Sequence, residues 1–544
     1  MRRSLGLPLF LVLPVLAVLA VAPPGPAHGA AAAARAGDQV DIPVPTLTWK
    51  TCPGDASRTA HGQTVECATV DLPLDYDDPT GATTPVSVDR VPASGRRIGS
   101  LFVNPGGPGG SARDFARYAG YLIGPGIRRH FDVIGVDPRG IGAPPYALCR
   151  YPSEDAPPGL AVPYPVTQHQ AGRQIRADRI LDEDCASGRN AIVDHMSTAD
   201  YVRDIDVVRQ AVGDEQLSYY GISYGSMVGQ TYAAMFPDRV RAIIVDGVLD
   251  PIEWTAGRDP SVPSTYRLGS GHGAHEALVS ALRECDRVGR DRCSIAGHAE
   301  RIWQRTYRLA RHGRLRVDGH RLVTQDLVST ALGALYQAPA IKRQLVRFLH
   351  DVAEQRRHRT ARASRALASD WADLVRVRDR QQAAGPYGYA PPGRALTNRV
   401  TDVGFESVVC SDAVNPTDPW AWQRASRTAD TAQPWFGRLW TWASSLCARW
   451  PGAGGDDAYR GPWRTTTSTP LLVVGNTHDP ATPIQGARTA TRQFAGSVLL
   501  TLDGWGHGAL NTSACVRTWM AAYLIDQELP PAGTVCRPYR PLFP

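Results

Sequence analysis

The stretch Gly221-Ile222-Ser223-Tyr224-Gly225 decides the fold. It fits G-x-S-x-G, the sharp turn that presents a nucleophilic serine at a strand tip. Five residues of this kind are a weak signal alone, because Gly and Ser are common; the flanks carry the weight. Residues 216–220 (Gln-Leu-Ser-Tyr-Tyr) read as a strand, and residues 226–236, rich in Ala, Met and Gln, read as a helix. Small residues two before and two after the serine allow tight backbone packing, so the hydroxyl stands exposed where strand becomes helix.

Working outward, short apolar and β-branched runs predict strands at 66–72, 86–91, 99–104, 131–136, 217–220 and 240–246, with a helix at 198–212. Strands alternating with helices imply a parallel sheet. The alternation stops near Pro251, and strands resume at 471–475 and 498–502. Between them the chain reads mostly helical. Leu278, Ala281 and Leu282 share a helix face, as do Leu345, Phe348, Leu349 and Val352, and residues 340–382 form a long Arg-rich amphipathic run. Seven of the thirteen tryptophans fall between Trp420 and Trp463, either as packing for this insertion or as an apolar wall over a cleft. The predicted class is α/β: a mostly parallel central sheet flanked by helices, with a large helical cap insertion. The expected divisions are residues 45–251 and 466–544 for the two parts of the core and 252–465 for the cap.

The amino terminus reads as a targeting segment. Arg2 and Arg3 precede an apolar run at 9–22, and small residues follow at Ala27, Gly29, Ala30 and Ala31. Residues 1–30 are the expected signal peptide and 31–44 a Pro/Ala-rich leader. The run is short for a span of ~20 residues, and Pro14 interrupts it. Ten cysteines fit an oxidising compartment; sequence neighbours would pair, as Cys52 with Cys67, Cys149 with Cys185, Cys285 with Cys293, Cys410 with Cys447 and Cys515 with Cys536. No C-x-x-C occurs and histidines do not gather near the cysteines, so no metal is expected. Net charge is +7, but Lys50 and Lys342 are the only lysines, and the arginines are interleaved with Asp and Glu. That pattern describes a solvated surface and gives nucleic-acid binding little support.

A serine hydroxyl near neutral pH needs a base, and the base needs an orienting acid. Asp479 follows the strand at 471–475 and His507 follows the strand at 498–502, in the chain order Ser, Asp, His. His478 stands on the wrong loop to serve as base, and Asp503 lies only four residues from His507 and after a later strand. Ser223, His507 and Asp479 are therefore the expected triad. The oxyanion would be held by the backbone N–H of Tyr224 and by one from the loop Val103-Asn104-Pro105-Gly106-Gly107-Pro108-Gly109-Gly110-Ser111, with Gly107 the first choice and Gly106 the second. Arg139, in Asp137-Pro138-Arg139-Gly140, is expected to tie neighbouring loops by an ion pair.

Taken together, Asn104-Pro-Gly-Gly-Pro-Gly-Gly110, Asp137-Pro-Arg-Gly140, Gly221-Ile-Ser-Tyr-Gly225, Asp479-Pro-Ala-Thr-Pro483 and Gly506-His-Gly508 resemble the serine aminopeptidases of the proline iminopeptidase and tripeptidyl aminopeptidase group, on the α/β-hydrolase fold. The loop begins Pro105-Gly106-Gly107-Pro108, where proline iminopeptidases carry a His-Gly-Gly-Pro version; this departure favours the tripeptidyl branch. The resemblance implies a secreted enzyme that cuts peptides near a free amino terminus and releases tripeptides, without cofactor. Carboxylesterases of similar sequence share these motifs, so a secreted esterase or lipase is the alternative, and a non-catalytic binding protein on the same scaffold is a third. An aminopeptidase must pair the substrate ammonium with an acid; Glu406 and Asp412, flanking Cys410, are the expected pair. The expected partner is a peptide or oligopeptide, with no nucleic acid and no stable membrane anchor.

Overall fold

The computed structural model describes residues 42–150, 162–357, 360–383, 394–397 and 400–544. The expected signal peptide, and the leader up to residue 41, lie outside the described residues. One sheet of ten strands organises the rest: β1 Lys50–Thr51, β2 Glu66–Pro73, β3 Thr83–Val91, β4 Gly99–Asn104, β5 Phe131–Val136, β6 Leu217–Ile222, β7 Val240–Asp246, β8 Leu472–His478, β9 Val498–Trp505 and β10 Val535–Cys536. Their spatial order is β1-β2-β3-β5-β4-β6-β7-β8-β9-β10. The pairs among β1, β2, β3 and β5 are antiparallel, and every pair from β5 to β10 is parallel.

The order reverses at β4. The chain leaves β4 toward β5 on one side, and β6 pairs with β4 on the other. Connections that depart in opposite directions open a crevice at the carboxyl ends of the strands. The glycine-rich loop after β4 and the serine turn after β6 meet in that crevice.

Alternation along the buried strands feeds two apolar layers, as a period of two requires. Leu101, Val103, Tyr220, Ile244, Leu472 and Val474 pack under helices Ala112–Leu122 and Ala514–Asp526 through Phe115, Ala119, Val516, Met520 and Leu524. Phe102, Tyr219, Val245 and Val473 pack on the opposite face with Val202, Ile205, Met227, Val228 and Ala487. These last five come from helices Thr198–Ala211, Tyr224–Met235 and Ile484–Gln493.

The cap has its own core. Leu278, Leu282, Trp303, Leu345, Phe348, Leu349, Trp422 and Phe436 are buried together, including both helix faces read from the sequence. Among the clustered tryptophans, Trp422 and Trp442 are buried in this core, whereas Trp463 packs beneath the sheet. A second excursion also joins the cap. Helix Gln168–Gly188 brings Ala171, and the segment before it brings Tyr164, into the same apolar cluster. Leu181 and Cys185 of the same helix pack in the apolar layer of the sheet, so this stretch, expected within the core, touches both core and cap. All ten cysteines pair as sequence neighbours. Among the described residues no helix is long and apolar enough to cross a membrane.

Candidate active site

Ser223 sits between β6 and helix Tyr224–Met235 with φ 62° and ψ −123°, a strained conformation for a residue with a Cβ. Its neighbours make the turn possible. A methyl group on Gly221 would lie 2.1 Å from Gly225 O, and one on Gly225 would lie 2.6 Å from Asn104 O. The Ser223 N–H donates to Asp246 O at 2.9 Å, which fastens the turn to the end of β7.

His507 and Asp479 form the second half of the site. His507 Nδ1 lies 2.8 Å from Asp479 Oδ1 and 3.0 Å from Oδ2. Three backbone N–H groups also donate to that carboxylate, those of Ala481 at 2.9 Å, Thr482 at 2.8 Å and Gly508 at 3.0 Å. Burial raises the Asp479 carboxyl to about 7 against the pull of these donors. Burial also lowers the His507 imidazole to about 3, which keeps it a neutral base.

The histidine loop stands over the serine turn. A methyl group on Gly508 would lie 2.2 Å from Ile222 Cδ1, and one on Gly247 would lie 3.2 Å from His507 Cε1. Asn476 Nδ2 donates to the carbonyls of Gly506 and Gly508 at 2.9 and 2.6 Å. Asp246 accepts the Ala509 N–H at 2.9 Å and the Tyr220 hydroxyl at 2.8 Å. Asp246 and Asn476 were not singled out from the sequence. The available signal was a polar residue at the carboxyl end of an otherwise apolar strand, Asp246 after Ile-Ile-Val and Asn476 after Val-Val-Gly.

The glycine loop expected to hold the oxyanion lies against the serine turn. A methyl group on Gly106 would lie 2.9 Å from Ser223 Cβ and 3.0 Å from Tyr224 N, so this loop touches the first amide of the helix. The Gly106 N–H, the second choice for the oxyanion, donates to Asn104 Oδ1 at 2.8 Å. Gly106 and Gly107 have φ of +95° and +126°, conformations that favour glycine. Asp137 braces the far end of the loop, accepting from the Ser111 hydroxyl at 2.8 Å and the Arg113 N–H at 3.1 Å. Arg139 does tie loops: it pairs with Asp204 and donates to Pro73 O and Leu74 O.

The two acids expected to bind a substrate ammonium do not converge. They stand six residues apart on helix Gly404–Asp412, about 120° apart around its axis. Asp412 is buried and its carboxylate is already occupied by the Thr198 N–H at 2.8 Å, the Thr198 hydroxyl at 2.5 Å and Trp254 Nε1 at 2.9 Å. It clamps the cap to helix Thr198–Ala211, a role invisible in sequence because its partners lie 214 and 158 residues away. Glu406 is half-buried in the first turn of the helix. Asp75, His195 and Asp457 bring one metal-ligand-type atom each within 4.8 Å of one another; the group includes none of Ser223, Asp479 and His507.

A parallel sheet with a serine turn at its switch point and an Asp–His pair on later loops defines a serine hydrolase of the α/β-hydrolase fold. The alpha/beta hydrolase fold family model matches residues 99–271, and the TAP-like protein model matches residues 433–536. Carboxylesterase B of Mycobacterium tuberculosis is 32% identical over 94% of this chain and 94% of its own length. Tripeptidyl aminopeptidase of Streptomyces lividans is 28% identical, covering 95% of this chain and 89% of that protein. Serine protease Hip1 of Mycobacterium tuberculosis is 28% identical, covering 90% and 91%. The chain belongs to the TAP-like group of α/β-hydrolases.

Proposed function

We propose that this protein is an exported serine peptidase that hydrolyses peptides near a free amino terminus and releases tripeptides. The observation that carries the chemistry is the buried Asp479–His507 pair, held over a serine in a strained turn. His507 Nε2 takes the Ser223 proton as Oγ attacks the scissile carbonyl. Asp479 fixes the imidazole tautomer through Nδ1 and stabilises the imidazolium. The oxyanion settles on the N–H groups of Tyr224 and Gly107. His507 then protonates the leaving amine, and a water activated by the same histidine clears the acyl-enzyme.

The aminopeptidase reading draws on the tripeptidyl aminopeptidase and serine protease relatives. A carboxylesterase reading draws on the relative of 32% identity that bears that name. Five disulfides suit an exported chain. The discriminating experiment compares a tripeptide anilide, its N-blocked copy and a p-nitrophenyl ester. The aminopeptidase loses turnover when the amine is blocked. Indifference to blocking, with fast ester cleavage, supports the esterase. Ser223→Ala must abolish turnover in either case; turnover retained in that variant overturns the triad.

A further inference from the structure

The loop that carries His507 is fixed mainly from the sheet. Asn476 holds the carbonyls of Gly506 and Gly508, Asp479 takes the Gly508 N–H, and Asp246 takes the Ala509 N–H. The N–H of His507 itself goes elsewhere. It donates to Tyr336 O at 3.0 Å, and Gln337 forms an antiparallel bridge with Gly506. Tyr336 ends helix Thr324–Leu335, an element of the cap. Its ring centroid lies 5.2 Å from the imidazole, tilted by 56°, and the residue is 7% exposed.

The flanking geometry fits this contact. Gly506 has φ +115°, and a methyl group there would come within 3.2 Å of Tyr336 O. Trp505 packs on the cap core and stacks on His478 at 4.5 Å, and His478 Nε2 lies 3.1 Å from Ser280 Oγ in cap helix Ser270–Val288. The acid loop is gripped as well: Ala481 is buried in the cap core, and a methyl group on Gly273 would lie 2.8 Å from Asp479 O.

We propose that Tyr336 is a positioning residue for the base: its carbonyl fixes the His507 backbone from the cap, and its ring fixes the plane of the imidazole. The inference rests on the triad reading above. It makes the cap part of the machinery that holds the proton acceptor, in addition to whatever it contributes to substrate binding. A cap displaced at Tyr336 leaves the serine turn intact and the base unaligned.

The test uses the full-length protein and a fluorophosphonate probe, which reports the alignment of serine and base without using peptide subsites. Tyr336→Ala removes the ring and keeps the carbonyl. Gln337→Pro pushes residue 336 out of its helical conformation (φ −64°, ψ −23°) and turns the carbonyl away. Both variants are labelled well below their melting temperatures. The expected result is a labelling rate lowered about tenfold or more in each, the scale of a misplaced reacting group. Tyr336→Phe, which restores the ring, recovers most of the Tyr336→Ala loss. If Gln337→Pro does not fold, Tyr336→Ala and its rescue decide alone. A lowered melting temperature with an unchanged labelling rate makes Tyr336 a packing residue and overturns the inference. Failure of the parent protein to label at Ser223 overturns the triad reading instead.

Discussion

Gly106 packs directly against Ser223: a methyl group on the glycine would sit 2.9 Å from the serine Cβ and 2.5 Å from Ile222 O. The loop after β4 and the turn after β6 are therefore in contact through a position where no side chain fits. Gly106→Ala forces one of them to move and adds strain at φ +95°, about 1–3 kcal/mol. Because the displaced amides are those proposed to hold the oxyanion, turnover falls by roughly 100-fold or more. Steady-state kinetics beside a thermal melt read both effects. Turnover within twofold of the parent means that this loop does not shape the site.

As the proposed acid and base, Asp479 and His507 are expected to set the acid limit of activity. Two groups that share a proton titrate as a unit. Burial raises the Asp479 carboxyl to about 7 and lowers the His507 imidazole, so the first proton taken up on acidification removes the charge that orients the imidazole. Above that pH the pair is free to accept the serine proton; below it the pair is already loaded. The value of kcat/KM is expected to be flat at alkaline pH and to fall about tenfold per unit below about pH 7. A profile that stays flat down to about pH 5 contradicts this assignment.

Arg139 and Asp204 form an ion pair at 2.6 Å, with side chains 1% and 0% exposed. Tyr76 donates its hydroxyl to the same carboxylate at 2.7 Å. Removing one member strands a buried charge. Arg139→Met is expected to cost roughly 3–5 kcal/mol of stability. It also frees the carbonyls of Pro73 and Leu74, so replacing Asp204 as well recovers only part of the loss. Chemical denaturation of the two variants measures this. The protein that remains folded still labels at Ser223, because Arg139 has no part in the proton transfer. Loss of labelling without loss of stability indicates a direct role instead.

What the sequence made legible follows from how local each signal is. All eight expected strands exist, because short apolar runs bounded by turn residues report their own neighbourhood. The serine turn and the two loops that carry Asp479 and His507 lie where motif and order placed them, and the two side chains pair. The edge strands Lys50–Thr51 and Val535–Cys536 were not, because two residues carry no periodicity. Asp412 shows the other limit. A lone acid beside an apolar run reads equally well as a ligand or a clamp, and only Thr198 and Trp254, distant in the chain, settle it as a clamp. Tyr336 was hidden for the same reason: its contact is a backbone carbonyl, which has no signature in residue type.

Asp182 gives the last test, on stability against pH. It is buried on helix Gln168–Gly188, and its carboxyl is raised from 3.8 to about 8 by burial and then by Asp178 one turn earlier, with Arg449 opposing. A carboxyl whose folded value lies above its unfolded value binds protons more tightly in the folded state. Its contribution is therefore fully present below pH 3.8 and is lost as pH rises through about 8. Asp178, raised to about 6 by burial, acts in the same direction. Asp182→Asn keeps the shape and removes the charge, so it is expected to stabilise the protein by about 1–3 kcal/mol at alkaline pH and to leave it nearly unchanged in acid. Paired melts of parent and variant across that range check the sign. A variant destabilised equally at all pH values means that the charged form of Asp182 is satisfied in the folded protein.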